Sequence, residues 1–280
     1  MRTVLVTGAS RGIGRAVAVS LAQAGWDVYA GMRDVERVGD LSAEAGSGRI
    51  TPVVLDVTDA SQIAALADVL PDTVDALVNN AGIVVGGPVE GLDLDDLRRQ
   101  LEVNLVGQVA VTQAVLPRIR AARGRIVFIS SINGRLAVPM IGAYNASKFA
   151  LEAIADTLRL ELRPWDVDVA VVEPGSTDTD IWRGALDELA ATEASLSDEI
   201  RDLYRPHIEG TRKATRFIQK HTFPVEQVVD AVNRALTARR PRARYVVGAV
   251  TKAQLGLANM TPTRAFDATL ARMSGIPDER

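Results

Sequence analysis

Seven short runs rich in valine and isoleucine recur along this 280-residue chain, and most of the gaps between them are long enough to hold a helix. The runs are "TVLVT" (3–7), "DVYAG" (27–31), "ITPVVL" (50–55), "VDALVN" (74–79), "RIVFIS" (125–130), "DVAVVE" (168–173) and "RYVVG" (244–248). They read as continuous apolar stretches rather than in-and-out alternation, which is what strands covered on both faces require. Amphipathic helical periodicity is readable at 12–24, 59–70, 93–120 and 144–163. Strand and helix in alternation demand right-handed crossovers, so the chain is predicted to be an α/β protein with a doubly wound, seven-stranded parallel sheet. No repeat, low-complexity tract or linker divides it, and residues 1–280 are read as a single domain.

The alternation stops after residue 175. Between Ser176 and Phe223 there is no strand signal, only helical spacing such as Ile181, Ala185, Leu186 and Leu189. Insertions at the carboxyl end of a sheet strand are where such folds touch substrate, so 176–223 is expected to form a helical lid. The strand at 244 then opens a C-terminal extension to 280. The basic run "ARRPRARY" ahead of it reads as a solvated turn.

Composition narrows the chemistry. Without cysteine there can be no disulfide, thiolate nucleophile or Cys-ligated zinc, and with only His207 and His221 a His-rich metal site is not expected. A net charge of -3 gives no reason to expect nucleic acid. The opening apolar run is too short for a signal-sequence core, and no run approaches the roughly 18 apolar residues of a membrane span. The expectation is a soluble, cytoplasmic protein with no metal or nucleic-acid partner and no membrane span.

Directly after the first apolar run comes "TGASRGIG", Thr7 to Gly14, followed by the helical stretch "RAVAVSLAQAG". Glycines at 8, 12 and 14 permit a tight turn and a close backbone approach to a phosphate. The helix that follows offers unpaired N–H groups and the positive end of its dipole. Further on, "YNASK" places Tyr144 and Lys148 four residues apart, on one face of a helix, so a phenol and an ammonium can point into one space. By itself that pair would pass for a surface lysine beside a half-buried tyrosine.

The set of motifs resembles the short-chain dehydrogenase/reductase family. The resemblance rests on the spacing Gly8-x3-Gly12-x-Gly14, "LDV" at 55–57, "NNAG" at 79–82, Asn104, Ser131, "YNASK" at 144–148 and "PG" at 174–175, in that order. It covers residues 1 to about 180, and "YNASKFALEAIADTLRLEL" looks most like the hydroxysteroid and retinol dehydrogenase branch. The resemblance implies a Rossmann-type fold and an NAD(P)-dependent oxidoreductase in which Asn104, Ser131, Tyr144 and Lys148 are catalytic. Tyr144 would be the acid/base. A free tyrosine titrates near about pH 10, and the neighbouring Lys148 cation, together with the positive oxidised nicotinamide, would favour the phenolate and bring that value toward working pH. Lys148 would also hold the nicotinamide ribose. Ser131 would donate to the substrate oxygen. Ser130 is its rival, but alternation turns the two side chains opposite ways, and the family register favours Ser131. Asn104 would bend its helix and hold a water linking Lys148 to solvent.

By the same resemblance the cofactor would be held by Gly8, Ser10, Arg11, Gly12, Ile13 and Gly14 of the phosphate loop. Asp56 and Val57 would meet the adenine, Asn80, Ala81 and Gly82 the adenosine ribose, and Pro174, Gly175, Thr177 and Thr179 the nicotinamide carboxamide. The second strand ends "DVYAGMR", with Met32 and Arg33 where a carboxylate selecting NAD would stand. Arg33 together with Arg11 favours a 2′-phosphate, hence NADP rather than NAD, although Asp34 could offset Arg33. Val138, Met140, Ile141, Ile181, Trp182 and Leu186 would line an apolar site for a hydrophobic alcohol or ketone. A non-catalytic NADP-binding sensor or scaffold, and an epimerase or dehydratase on the same fold, are the alternatives. The complete Asn-Ser-Tyr-Lys set argues against a sensor. Apolar residues beyond one sheet-facing stripe, Leu101, Leu105, Val109, Val115, Leu151, Ile154, Leu158 and Leu162, suggest helices that pair into a homodimer or homotetramer, as family members do.

Overall fold

The computed structural model describes residues 1–36 and 41–276; residues 37–40 and the last four residues of the extension read at 244–280 lie outside them. Every apolar run becomes a strand: β1 (Thr3–Thr7), β2 (Asp27–Met32), β3 (Arg49–Val54), β4 (Ala76–Asn79), β5 (Arg125–Ile129), β6 (Asp168–Pro174) and β7 (Arg244–Val247). The sheet order is β3-β2-β1-β4-β5-β6-β7. All neighbouring pairs are parallel. The order reverses between β1 and β4, and the carboxyl ends of these strands form the crevice where open α/β sheets bind ligands.

The helices are α1 (Gly12–Gln23), α2 (Ala60–Val69), α3 (Leu94–Leu101), α4 (Gly107–Ala122), α5 (Gly142–Glu161), α6 (Asp180–Arg183), α7 (Ala185–Ser195), α8 (Asp198–Leu203), α9 (Arg205–Gln219), α10 (Glu226–Thr237), α11 (Ala249–Met260) and α12 (Thr263–Met273). Side-chain alternation along the strands divides the core between two faces. Val4, Val6, Ala76, Val78, Val127 and Ile129 pack with Val17 and Leu21 of α1 and Val228 and Val232 of α10. Leu5, Leu77, Ile126 and Phe128 pack instead with Leu66 of α2, Val115 of α4 and Leu151 of α5. Both faces are therefore covered, which is why the strands carry no polar alternation.

The structure departs from the sequence reading at three places. The helix expected over 93–120 is interrupted by a π-helical turn, Glu102–Val106, centred on Asn104. A second element, α10, was not anticipated, although Val228, Val232 and Ala235 repeat at helical spacing and are buried. Third, Val115, Leu151 and Leu162, read as surplus apolar residues for assembly, are spent on the core. Helices of this fold bury more than one narrow stripe, so a count of apolar residues overstates what is left for a partner.

The insertion leaves and re-enters the body at one point. An isolated bridge pairs Thr177 with Phe223, with Asp178 N–H donating to Phe223 O at 2.9 Å and Phe223 N–H to Ser176 O at 3.1 Å. Between them run α6 to α9. Leu196 and Ile208 of this segment form a small apolar cluster with Met140, and the Tyr204 hydroxyl donates to Glu90 Oε2 at 2.8 Å.

Candidate active site

The loop after β1 is shaped by its glycines. Gly8 (φ +65°) and Gly12 (φ +57°) occupy the left-handed region that side chains disfavour. A Cβ on Gly8 would lie 2.8 Å from Ala81 Cα, and one on Gly14 would lie 2.3 Å from Gly8 O and 2.4 Å from Asn80 Nδ2. A Cβ on Gly12, in contrast, would meet only Thr179, at 3.8 Å. Two glycines thus pack the loop against the body and the third borders open space. Asn80 Nδ2 donates to Thr7 O at 3.0 Å and Gly8 O at 3.1 Å, while Thr7 Oγ1 accepts from Asn80 and Ala81 N–H, both at 3.0 Å. No side chain caps α1 at Arg11, so its first-turn amides face that space. These features fit a dinucleotide pyrophosphate.

Other expected contacts converge on the same edge. Ser10, Arg11 and Arg33 are exposed and Ile13 is half-buried. Thr177 and Thr179 are buried after β6, with Thr179 beside Gly12. Gly175, next to Pro174, is pressed on by Thr251 of α11, where a Cβ would sit 2.0 Å from Thr251 Oγ1. Asp56 is drawn into a local turn, its Oδ1 accepting from Thr58 N–H at 2.9 Å and the Thr58 hydroxyl at 2.8 Å. The Val57 side chain lies in the core. Met32 does not stand where expected. It is 1% exposed and packs in the core with α1, because β2 alternates its side chains and the next residue, Arg33, faces out.

Tyr144 and Lys148 sit in the first two turns of α5. The lysine is 4% exposed, its Nζ donates to Ile129 O at 2.8 Å, and it lies 5.7 Å from the Tyr144 ring centroid. Ser131, at the end of β5, opens a short 3-10 turn in which Asn133 N–H donates to its Oγ at 3.1 Å. Its hydroxyl faces Tyr144, whereas that of Ser130 faces Glu152. The two serines therefore separate as the alternation required. Asn104 is fully buried. It accepts from Ile83 N–H at 2.8 Å and donates to Ile83 O at 3.0 Å and Ser147 Oγ at 3.2 Å. The Ser147 hydroxyl donates in turn to Tyr144 O at 2.7 Å. Asn104 thus ties the "NNAG" loop to the helix that carries the tyrosine, and both its amide protons are committed.

Three residues in this construction escaped the sequence reading. Ser147 and Asn145 occupy the variable places of "YNASK", and Asn133 follows Ser131. Asn145 donates to Val138 O at 2.7 Å and accepts from Asn133 Nδ2 at 3.2 Å, linking the serine turn to α5. Their signal is a polar side chain on the inward face of a helix, visible only once that face is known.

The protein's own electrostatics bear on one part of the expectation for Tyr144, the effect of Lys148. Burial raises the Tyr144 phenol above its usual value, opposed only by Ser131. Lys148 does not bring it down. Burial lowers the lysine itself to about 8, opposed by Glu152. A low-dielectric site penalises phenolate and ammonium alike, and here that outweighs their attraction. The arrangement presents a protonated phenol and a serine hydroxyl side by side: a proton donor and a hydrogen-bond donor for one oxygen atom.

The short chain dehydrogenase family model matches residues 2–190. The chain belongs to the short-chain dehydrogenase/reductase family. It is 36% identical over 278 residues to retinol dehydrogenase 5 of Mus musculus, covering 95% of this chain and 87% of that protein. Among solved structures it is similar to a short chain dehydrogenase from Burkholderia cenocepacia in complex with NADP, with a TM-score of 0.75, 27% identity and coverage of 96% and 99%. It is also similar to a 3-oxoacyl-[acyl-carrier protein] reductase from Brucella melitensis with bound NAD, at a TM-score of 0.68, 28% identity and 88% coverage of each chain. This is a nicotinamide-dependent oxidoreductase of the retinol and hydroxysteroid dehydrogenase branch. Among the described residues no acidic or histidine cluster could hold a metal, and no helix is long and apolar enough to cross a membrane.

Proposed function

We propose that this enzyme is an NADP-dependent reductase of hydrophobic ketones or aldehydes, running in reverse as an alcohol dehydrogenase. The observation that carries the reading is the protonated Tyr144 phenol beside Ser131, with Lys148 one helical turn away. When bound, the nicotinamide supplies or accepts the hydride. Ser131 donates to the carbonyl oxygen, and Tyr144 delivers a proton to the alkoxide that develops there. A phenol held in its protonated form suits reduction, since it starts the reaction with the proton that the alkoxide needs. Asn104 and Ser147 hold the tyrosine's turn in register with the loop after β4.

NADP is favoured by the exposed Arg33 after β2 and Arg11 in the phosphate loop, cations able to pair a 2′-phosphate. An apolar substrate is favoured by half-buried Val138, Ile141, Trp182 and Leu186, and by the long apolar alcohol in the name of the mouse relative. Met140 is committed to the insertion's cluster and is left out of that lining. Segment 176–223 acts as the lid. The site roles given to Asn104, Ser131, Tyr144 and Lys148 belong to this reading, as do a soluble cytoplasmic location and a homodimer or homotetramer. A screen of NADPH oxidation across ketones, aldehydes and quinones of graded size tests it. Turnover on bulky apolar carbonyls, lowered about 10²–10⁴-fold in Tyr144→Phe with NADPH binding retained, is the expected result. Turnover undiminished in Tyr144→Phe would remove the tyrosine from the chemistry. Tight cofactor binding with no turnover on any carbonyl would instead indicate a sensor.

A further inference from the structure

Behind the active-site lysine lies a buried set of charges that the chemistry above does not use. Glu152 is four residues beyond Lys148 on α5 and only 6% exposed. Its Oε2 accepts from Arg244 Nε at 3.1 Å, and Arg244 Nη2 also donates to Asp156 Oδ2 at 2.7 Å. Glu173 of β6 is fully buried, with Arg244 Nε 3.1 Å from its Oε1 and Arg135 Nη1 3.6 Å from its Oε2. Gly134 closes the cage. A Cβ there would lie 2.7 Å from Ser130 Oγ, 2.9 Å from Glu152 Cγ and 3.1 Å from Lys148 O. Neither Ser130 Oγ nor Glu152 Oε1 closes a hydrogen bond of full geometry, although both are buried.

Buried ion pairs are poor stabilisers, because desolvation offsets most of their attraction and apolar residues of like volume do as well or better. A carboxylate enclosed this way one turn from a reactive lysine is therefore better explained by what it does to that lysine. We propose that Glu152 is a positioning residue for the hydride-transfer site: clamped by Arg244 from behind, its carboxylate keeps the buried Lys148 ammonium charged. The groups facing it are Lys148 and Asp156 on α5, Ser130 at the end of β5, Arg135 in the following turn, Glu173 on β6 and Arg244 on β7. Burial raises the carboxyls of both Glu152 and Glu173, and a neighbouring carboxylate adds to the rise at each, Asp156 at Glu152 and Glu152 at Glu173. Arg244 opposes the rise at both, joined by Ser130 at Glu152 and by Arg135 at Glu173. Once ionised, Glu152 is the attraction that opposes desolvation at Lys148. Removing its charge must lower the pH at which the lysine loses its proton.

This inference rests on the proposed role of Lys148, but its test needs no substrate. The chain has only four lysines, Lys148, Lys213, Lys220 and Lys252, so side-chain NMR of ¹³C-lysine-labelled protein resolves each, with Lys148→Met giving the assignment. Titrated over about pH 6 to 11, Lys148 should lose its proton well below the other three, and Glu152→Gln should move it lower by about half a unit or more. Glu152→Asp, which keeps the charge, should recover part of that shift, and Asp156→Asn, which loosens the pairs with Arg244 and Arg159 but leaves Glu152 charged, should move it far less. NADPH affinity above neutral pH should fall in parallel in Glu152→Gln. A Lys148 titration unchanged in Glu152→Gln overturns the proposal. If Glu152→Gln does not fold, an unchanged titration in folded Glu152→Met, which removes the same charge at similar volume, overturns it equally, leaving a structural role. Failure to find any reducible carbonyl would defeat the functional reading while leaving this measurement to give its own answer.

Discussion

Lys148 is almost fully buried, bonded to one backbone carbonyl, and burial brings its pKa from an ordinary 10.5 down to about 8. Between those values the unfolded chain binds more protons than the folded one, so this group's contribution to stability rises as pH climbs through that window. Below it the penalty is carried in full, on the order of 3 kcal/mol. Replacing the lysine by methionine removes that penalty and leaves Ile129 O without its donor, a loss of about 1–3 kcal/mol. Lys148→Met should accordingly be at least as stable as the parent at neutral pH while losing activity. The parent should gain on it from about pH 8 to 10.5, read by urea unfolding across a pH series; a large loss of stability at pH 7 would contradict this. The proposed cofactor preference is tested at the same scale. Arg33→Ala should reduce kcat/KM for NADPH about tenfold or more, with NADH little changed, as expected for a lost charge-assisted bond. Met32→Asp, a carboxylate at one of the two positions where the sequence placed NAD selection, should instead destabilise the fold by several kcal/mol, because it lies unpaired in the core beside α1. Equal use of both cofactors by the parent would sink the NADP assignment.

At the scale of elements, the helix preceding α4 shows how one side chain shapes a segment. Asparagine competes for backbone bonds within a helix, and at Asn104 the chain widens into a π turn, a form common at functional sites. The turn lets Asn104 reach both Ile83 and Ser147. The insertion behaves differently, because it meets the rest of the chain without a strand ladder, through the Thr177–Phe223 bridge, the Met140 cluster, the Tyr204–Glu90 bond, Ile200 against Gly91 and Gly210 against Ser274. Contacts of this kind open locally at lower cost than the hydrogen-bonded sheet. Limited proteolysis should cut first between residues 178 and 222, and NADP with a substrate carbonyl should protect those bonds. Uniform resistance in the free protein would argue that the segment is a fixed wall.

For the whole molecule, the proposed assembly would rest on the outer surface of α3, the π turn, α4 and α5. Core packing leaves Leu101, Val109 and Ile154 half-buried there, with Val106 and Phe149 exposed. Such a surface suits an isologous interface, in which the same patch meets itself across a two-fold axis. Light scattering at micromolar concentration should give a dimer or tetramer, and Phe149→Glu should shift it toward monomer with Tyr144 still in place. A parent that is monomeric would remove the interface without affecting the chemistry.

The sequence alone determined the strands, the layering and which groups are proposed to react, because each of these is written in local terms. Unbroken valine-rich runs mean strands covered on both sides, glycines at 8, 12 and 14 mean a backbone turn without Cβ atoms, and Tyr144 and Lys148 share a face at any helical pitch. It could also separate Ser131 from Ser130, since alternation along a strand is a local rule. Only the tertiary structure decided what depends on which neighbours arrive from far along the chain. It sent Met32 inward and Arg33 outward, spent Val115, Leu151 and Leu162 on the core, and brought Arg244 across to Glu152, which is 92 residues earlier. It also set burial against the attraction expected between Lys148 and Tyr144. Spacing says that a lysine stands near a tyrosine, but whether attraction or desolvation wins depends on how completely the fold excludes water, and around Lys148 it excludes nearly all of it.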